Sequence, residues 1–274
     1  MMLKTRVITA VVLFGVLTLL LFSGYHLAFE LFLTAFFAAA SWESFRLFGN
    51  AYPFWSAAIW ACAFPIIIYT TDASKLVLLL GLCVAMWFVR FAPTLKFGLP
   101  SLGTMANRLL NAMYAVAILA FFLGVYALYR HSPLFLLSIV SIVIVADIGA
   151  YAFGKNFGKR KLAPKISPSK TWEGVFGAIF SVLVFAVIVT LIPDLQDTFM
   201  VKFQSRLGWF GLFAILTLLV SCSVVGDLFE SRLKRRVGAK DSSNLLPGHG
   251  GVLDRIDALL PVLPLASLLD LLIK

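Results

Sequence analysis

Leu134 to Phe153 reads L-F-L-L-S-I-V-S-I-V-I-V-A-D-I-G-A-Y-A-F, twenty residues of which one, Asp147, is charged. At about 1.5 Å of rise per residue, a helix of that length crosses the roughly 30 Å hydrocarbon core of a bilayer. Its backbone groups pair internally, as they must where no water is available. Eight further stretches pass the same reading: 7 to 22, 27 to 41, 54 to 70, 75 to 92, 109 to 129, 174 to 192, 208 to 230 and 252 to 273. The first two are short and only Ser23, Gly24, Tyr25 and His26 separate them, which allows a tight helical hairpin or one partly re-entrant unit. The expectation is an all-α fold, a polytopic bundle of about nine transmembrane helices.

Composition agrees. Of 274 residues, 61% belong to the AVILMFWYC set and 13% are charged, the latter about half the usual share. A globule of this size has too little interior to hide that apolar surface, which excludes a conventional soluble enzyme, a disordered chain and a nucleic-acid-binding domain. The 26 Phe residues are accounted for by packing against lipid and neighbouring helices. Cys62, Cys83 and Cys222 sit in apolar stretches without metal-ligand spacing and are expected to pack rather than react. Lys4 and Arg6 precede the apolar run from Val7 to Phe22, but no A-x-A-like cleavage site follows, so a retained first span is expected. With no repeat, low-complexity tract or linker, residues 1–274 read as a single membrane domain. Residues 1–130 hold N-terminal spans, and 131–274 hold the spans and loops that carry chemistry.

The net charge of +10 tests the topology. With the N-terminus in the cytoplasm, the inner stretches hold Lys4, Arg6, Arg46, Arg90, Lys96, Arg108, the six bases from Lys155 to Lys170, and six more from Arg232 to Arg255. Only Lys75, Arg130, Lys202, Arg206 and Lys274 fall outside, and eighteen against five is the bias of the positive-inside rule. Two inner stretches, 147 to 174 and 227 to 257, also concentrate seven of the 13 acids. Topology does not call for carboxylates, whereas a site for metal ions and phosphates does.

The second of these stretches, Asp227 to Asp257, reads D-L-F-E-S-R-L-K-R-R-V-G-A-K-D-S-S-N-L-L-P-G-H-G-G-V-L-D-R-I-D. Asp227, Glu230, Ser231 and Lys234 recur at three or four residues and share a face if the span continues as a helix. Asp254 and Asp257, at i and i+3, likewise point one way from the start of the last span. Between them, Pro247, Gly248, Gly250 and Gly251 surround His249, a composition that lets backbone N–H groups approach an anion. The alternative is a solvated basic loop with incidental helix-end acids. Five acids and six bases against apolar spans argue against it, since ionisable groups near membrane depth are costly.

The first stretch, D-I-G-A-Y-A-F-G-K-N-F-G-K-R-K-L-A-P-K-I-S-P-S-K-T-W-E-G from Asp147 to Gly174, lacks a Walker pattern. Lys165, Ser167, Ser169, Lys170 and Thr171 can hold phosphate oxygens through charge-assisted hydrogen bonds, and general attraction to anionic lipid explains the bases nearly as well.

Residues 231–257 resemble the signature of phosphatidate cytidylyltransferases, also called CDP-diacylglycerol synthases: S-x-[aliphatic]-K-R-x4-K-D-x-[small]-x2-[aliphatic]-[PG]-x-H-G-G-[aliphatic]-x-D-R-[aliphatic]-D. Every fixed position is met. The upstream D-x-G-A-Y-x-x-G-K-x-x-G-K and K-I-S-P-x-K-T-W-E-G segments are also similar to that family, while the N-terminal half agrees in hydropathy alone.

The resemblance implies condensation of CTP with phosphatidic acid to CDP-diacylglycerol and pyrophosphate, with Mg²⁺, at the cytoplasmic face of a bacterial inner membrane. It also implies a homodimer, for which no residue pattern speaks. Carried over by position, it makes Asp227, Asp254, Asp257, Lys240, Asp241 and His249 the catalytic set. Asp227, Asp254 and Asp257 are then the Mg²⁺ ligands, with Asp241 as ligand or neighbour and Glu230 a further candidate. Ser231, Lys234, Arg235, Lys240 and Arg255 take the triphosphate and the departing pyrophosphate. Lys165, Ser167, Ser169, Lys170 and Thr171 take the lipid phosphate or part of the nucleotide. His249 donates either a proton to pyrophosphate or a hydrogen bond, and His26 and His131 are incidental.

Pro261 and Pro264 are expected to interrupt the last span beside the carboxylates, where a lateral opening would admit acyl chains. A transporter would instead scatter its ionisable groups near the midplane of several spans. A CDP-alcohol phosphotransferase would carry D-G-x2-A-R-x8-G-x3-D-x3-D, which is absent, and a scaffold would not need the acids.

Overall fold

The apolar runs fold as helices. The computed structural model describes residues 2–273 without the side chains of 2–8 and 10, so the Lys4 and Arg6 side chains and Lys274 lie outside the described residues. In chain order come α1 (Met2–Phe22), α2 (His26–Leu47), α3 (Pro53–Thr70) and α4 (Ala73–Met86). A π turn (Trp87–Phe91) leads into α5 (Ala92–Phe97), then α6 (Met105–His131) and α7 (Pro133–Phe157). A hairpin of β1 (Lys161–Ala163) and β2 (Ser167–Thr171) precedes α8 (Trp172–Thr190), and α9 (Phe199–Arg236), α10 (Leu253–Ile256) and α11 (Leu259–Leu272) complete the chain.

This is an all-α membrane bundle. Eight of the nine expected stretches fall essentially on continuous helix, and the ninth is split between α10 and α11. Among the described residues, six helical segments are long and apolar enough to cross a bilayer: Pro53–Thr70, Ala73–Phe97, Met105–His131, Pro133–Phe157, Trp172–Thr190 and Phe199–Arg236. Val11–Phe22 and Leu259–Leu272 are shorter apolar helices, and α2 is diluted by Glu30, Glu43 and Arg46. α1 and α2 are joined by a turn at Gly24, whose φ of 74° suits a residue without Cβ. α2 outruns its expected end at 41 by six residues, because its last turns bury Ser41, Glu43, Ser44 and Leu47 against the rest of the protein.

Side-chain caps set several helix starts: Asp72 accepts from the Lys75 N–H, Thr104 from Asn107 and Thr171 from Gly174. α9 is kinked at Gly208 (φ 67°), where the expected span begins, and then runs unbroken past the apolar stretch to Arg236. The last span departs from expectation. It breaks at Asp257–Ala258, ahead of the prolines, and α11 continues through Pro264. Pro261 falls in the first turn of α11, where a missing N–H leaves no helical bond unmade. Gly226 of α9 packs on that break so closely that a Cβ would lie 2.3 Å from the Asp257 carbonyl oxygen.

One apolar core runs through the bundle, with Trp87 edge to face against Tyr114 and Phe229, Phe91 edge to face against Tyr114, and Phe91 tilted on Phe229 beneath the polar end. That end gathers the C-terminal turns of α2, α7 and α9 with α5, the hairpin and α10. Arg236 at the end of α9 ties in α2, the loop after α5 and the first turn of α6, donating to Leu47 O (3.1 Å), Pro100 O (3.2 Å) and Asn107 Oδ1 (2.8 Å). Arg232 donates to Leu95 O. At the opposite end Asp270 of α11 accepts from Lys202 (2.7 Å) and pairs with His131 (2.9 Å).

Candidate active site

Helical spacing brings the α9 polar groups to one face, as the sequence requires. Glu230, fully buried, pairs with Lys234 one turn on, and the same ammonium lies 2.6 Å from an oxygen of Asp254. One turn earlier, Asp227 accepts from Ser231 (3.3 Å) and pairs with Lys170, which β2 delivers from the hairpin. The hairpin itself was not expected. Its strands pair Lys161 with Thr171 and Ala163 with Ser167, around a basic, proline-containing sequence without two-residue alternation.

The other oxygen of Asp254 accepts from the N–H groups of Ser242 (2.8 Å) and Gly251 (2.8 Å), and lies 2.9 Å from the Ser242 hydroxyl. Burial alone would raise the Asp254 pKa. Hydrogen bonds from Lys234, Gly251 and Ser242, with the Lys234 charge, more than reverse this and hold the carboxyl below the usual carboxylate range. Asp257 accepts from the Ala258 N–H (2.7 Å).

Four adjoining hollows divide the expected residues. A cleft of about 450 Å³ between α7, the hairpin, α8 and α9 is lined by Asp147, Tyr151, Ser169, Lys170, Thr171 and Asp227. A smaller cavity of about 160 Å³ joins Asp147 to Asp254, Arg255 and Asp257, with Val140, Val143 and Ile144 as its apolar wall. Lys240, Asp241, His249 and Arg255 line a third, of about 630 Å³, formed by the glycine-rich loop. Lys165 and Arg235 face a fourth, a basic groove of about 820 Å³ that also holds Lys96, Arg232 and Arg236. Asp147 and Arg255 each border two hollows. Ser167, at the start of β2, and Ser231 and Lys234 of α9 line none of the four. The Thr171 hydroxyl is engaged as the α8 cap by Gly174 (3.2 Å).

The arrangement offers oxygen donors to a hard cation and bases to phosphate. As placed, no three His, Cys, Asp or Glu side chains among the described residues converge tightly enough to enclose an ion. Lysine ammonium groups stand against Asp227 and Asp254 instead. The donor set, carboxylates alone, is nonetheless that of Mg²⁺ rather than of a softer metal.

One buried group at this end escaped the sequence reading. Glu43 of α2, with no solvent exposure, accepts from Ser242 Oγ (3.1 Å), Val252 N–H (3.0 Å), Leu253 N–H (2.7 Å) and the Ser243 hydroxyl. A carboxylate near the end of an apolar run was the available signal.

Comparison with known proteins follows the same line. A profile described as the cytidylyltransferase family matches residues 4–272. The chain is 37% identical to a phosphatidate cytidylyltransferase of Haemophilus influenzae, covering 97% of this chain and 98% of the relative. It is likewise 37% identical to one of Pseudomonas aeruginosa, over 98% and 97%. A Bacillus subtilis protein of the same name is 39% identical over 57% of this chain and 54% of its own length.

Proposed function

We infer the function from one premise, that the chain belongs to the cytidylyltransferase family: it is a multi-pass membrane enzyme that condenses CTP with phosphatidic acid. A phosphate oxygen of the lipid attacks the α-phosphorus of CTP, the bond to the β-phosphate breaks, and CDP-diacylglycerol and pyrophosphate result. The observation that carries this reading is the meeting of two lysine–carboxylate pairs, Lys170–Asp227 and Lys234–Asp254, beside cavities that open at one end of an apolar bundle.

The attacking oxygen is already ionised at neutral pH, so the chemistry needs positioning and charge neutralisation more than a strong base. In our reading Lys170 and Ser169 hold phosphate in the cleft beside Asp227. Lys240 and Arg255, across the third hollow, receive the pyrophosphate, and His249 gives it a hydrogen bond. Lys165 and Arg235 draw anions along the basic groove. Asp227 in the first cleft and Asp254 and Asp257 in the smaller cavity, with Asp147 bordering both, are the residues that would hold Mg²⁺. Bound there, the ion would neutralise triphosphate charge and polarise the reacting phosphate. With the ion held there, Lys170 and Lys234 would turn from Asp227 and Asp254 to substrate phosphate. The apolar wall of Val140, Val143 and Ile144 faces acyl chains, and the polar end faces the cytoplasm of a bacterial inner membrane, with the N-terminus on that side.

The test is pyrophosphate release by purified protein in detergent, with each of CTP, phosphatidic acid and Mg²⁺ omitted in turn, beside Asp254→Asn. Release that needs all three and is lost in the variant supports the reading. A folded protein that binds phosphatidic acid without releasing pyrophosphate supports lipid carriage instead.

A further inference from the structure

We infer that Glu43 is a positioning residue for this reaction, acting through the loop that carries Asp254. This rests on the proposed function of Asp254 and goes beyond it by assigning a role to the N-terminal half of the chain. All four groups on the Glu43 carboxyl can donate: the Ser243 hydroxyl, the Ser242 hydroxyl, whose single proton is shared with Asp254, and two consecutive backbone N–H groups, Val252 and Leu253. A carboxylate, which only accepts, satisfies all four at once. An amide would turn its NH₂ group toward one hydroxyl, which can reverse to accept, and one backbone N–H, which cannot. No base approaches Glu43 in an ion pair among the described residues, so these bonds alone offset its burial.

The bonds reach the site in one step. Val252 and Leu253 immediately precede Asp254, so fixing their N–H groups fixes the direction in which that side chain leaves the backbone. The Ser242 hydroxyl stands between the two carboxylates, 3.1 Å from Glu43 and 2.9 Å from Asp254. Arg46, one turn further along α2, donates to the Ser242 carbonyl. Both ends of the loop from Ser242 to Leu253 are therefore held by the last turns of α2. There is no slack, since a Cβ on Gly251 would lie 2.2 Å from Glu43 Oε1.

The experiment compares Glu43→Gln, Glu43→Asp and wild type by amide hydrogen exchange of residues 250–254 without substrate or metal, and by steady-state pyrophosphate release. The expected result is faster exchange at Val252 and Leu253 in Glu43→Gln, with unchanged exchange in α6. Its kcat falls about a hundredfold at a KM for CTP within about twofold of wild type, the scale of a small misplacement of reacting groups. Glu43→Asp, one methylene shorter, recovers part of both. Local protection lost with kcat unchanged, or kcat lost with protection intact, overturns the inference. If Glu43→Gln does not fold, Ser243→Ala, which removes one donor, must show the same paired change in smaller degree, and its absence overturns the inference. An inactive wild type that still loses protection in Glu43→Gln would overturn both the proposed function and the positioning role, leaving a loop clamp. An inactive wild type with protection retained leaves neither.

Discussion

Lys234 and Asp254, twenty residues apart in the chain, meet at 2.6 Å, and the same ammonium also pairs with the fully buried Glu230. Removing the lysine leaves two enclosed carboxylates facing each other. Lys234→Ala should lower stability by about 3 kcal/mol, read as a drop in thermal unfolding temperature in detergent. Adding Glu230→Gln should restore much of that stability but none of the pyrophosphate release. Restored activity in the double variant would show that Lys234 serves only to neutralise Glu230.

The Lys170–Asp227 pair joins the hairpin to α9 in the first cleft. Lys170→Ala should reduce kcat/KM about a hundredfold, the effect of deleting a charge that contacts a reacting phosphate. Thermal stability should change little, because both partners keep substantial exposure. A loss of stability as large as that of Lys234→Ala would contradict this assignment.

Gly226→Ala tests the close seat of α9 against the break before α11. The added methyl meets the Asp257 carbonyl and Pro261, with no flexible side-chain end to yield. An overpacking cost of about 2 kcal/mol and a marked fall in activity are expected together. Wild-type unfolding and turnover in this variant would show that the two segments move apart freely.

The opposite end provides the contrast. Asp270→Asn breaks the contacts to Lys202 and His131 and should lower the unfolding temperature, while kcat and KM stay within about twofold. A changed KM would mean that the two ends of the bundle are coupled.

Much of this was legible in the sequence. Apolar length located the helices, and three- and four-residue spacing put Asp227, Glu230, Ser231 and Lys234 on one face before any partner was known. Spacing does not say which other segment that face meets. The partners of Asp227 and Lys234 come from β2 and α10, and only the folded chain reveals them. Glu43 is the sharper case, since its partners lie about two hundred residues away and two of them are backbone N–H groups, which no side-chain pattern records. The prolines misled because the break falls where Gly226 crowds the chain, and a proline in a first turn continues a helix comfortably. His131, expected to be incidental, has a place in the fold through Asp270.

The Glu43 contacts also bear on how the protein is made. At about 5–20 residues per second of synthesis, the carboxylate on α2 is incorporated some ten to forty seconds before Val252 and Leu253 exist. Throughout that interval the nascent chain holds an acid whose native partners are missing, next to a membrane that disfavours it. The polar end therefore closes late, when the final two helices arrive. A chain that stops after α9 should insert its spans and remain inert, and quality control has an unsatisfied charge by which to recognise it.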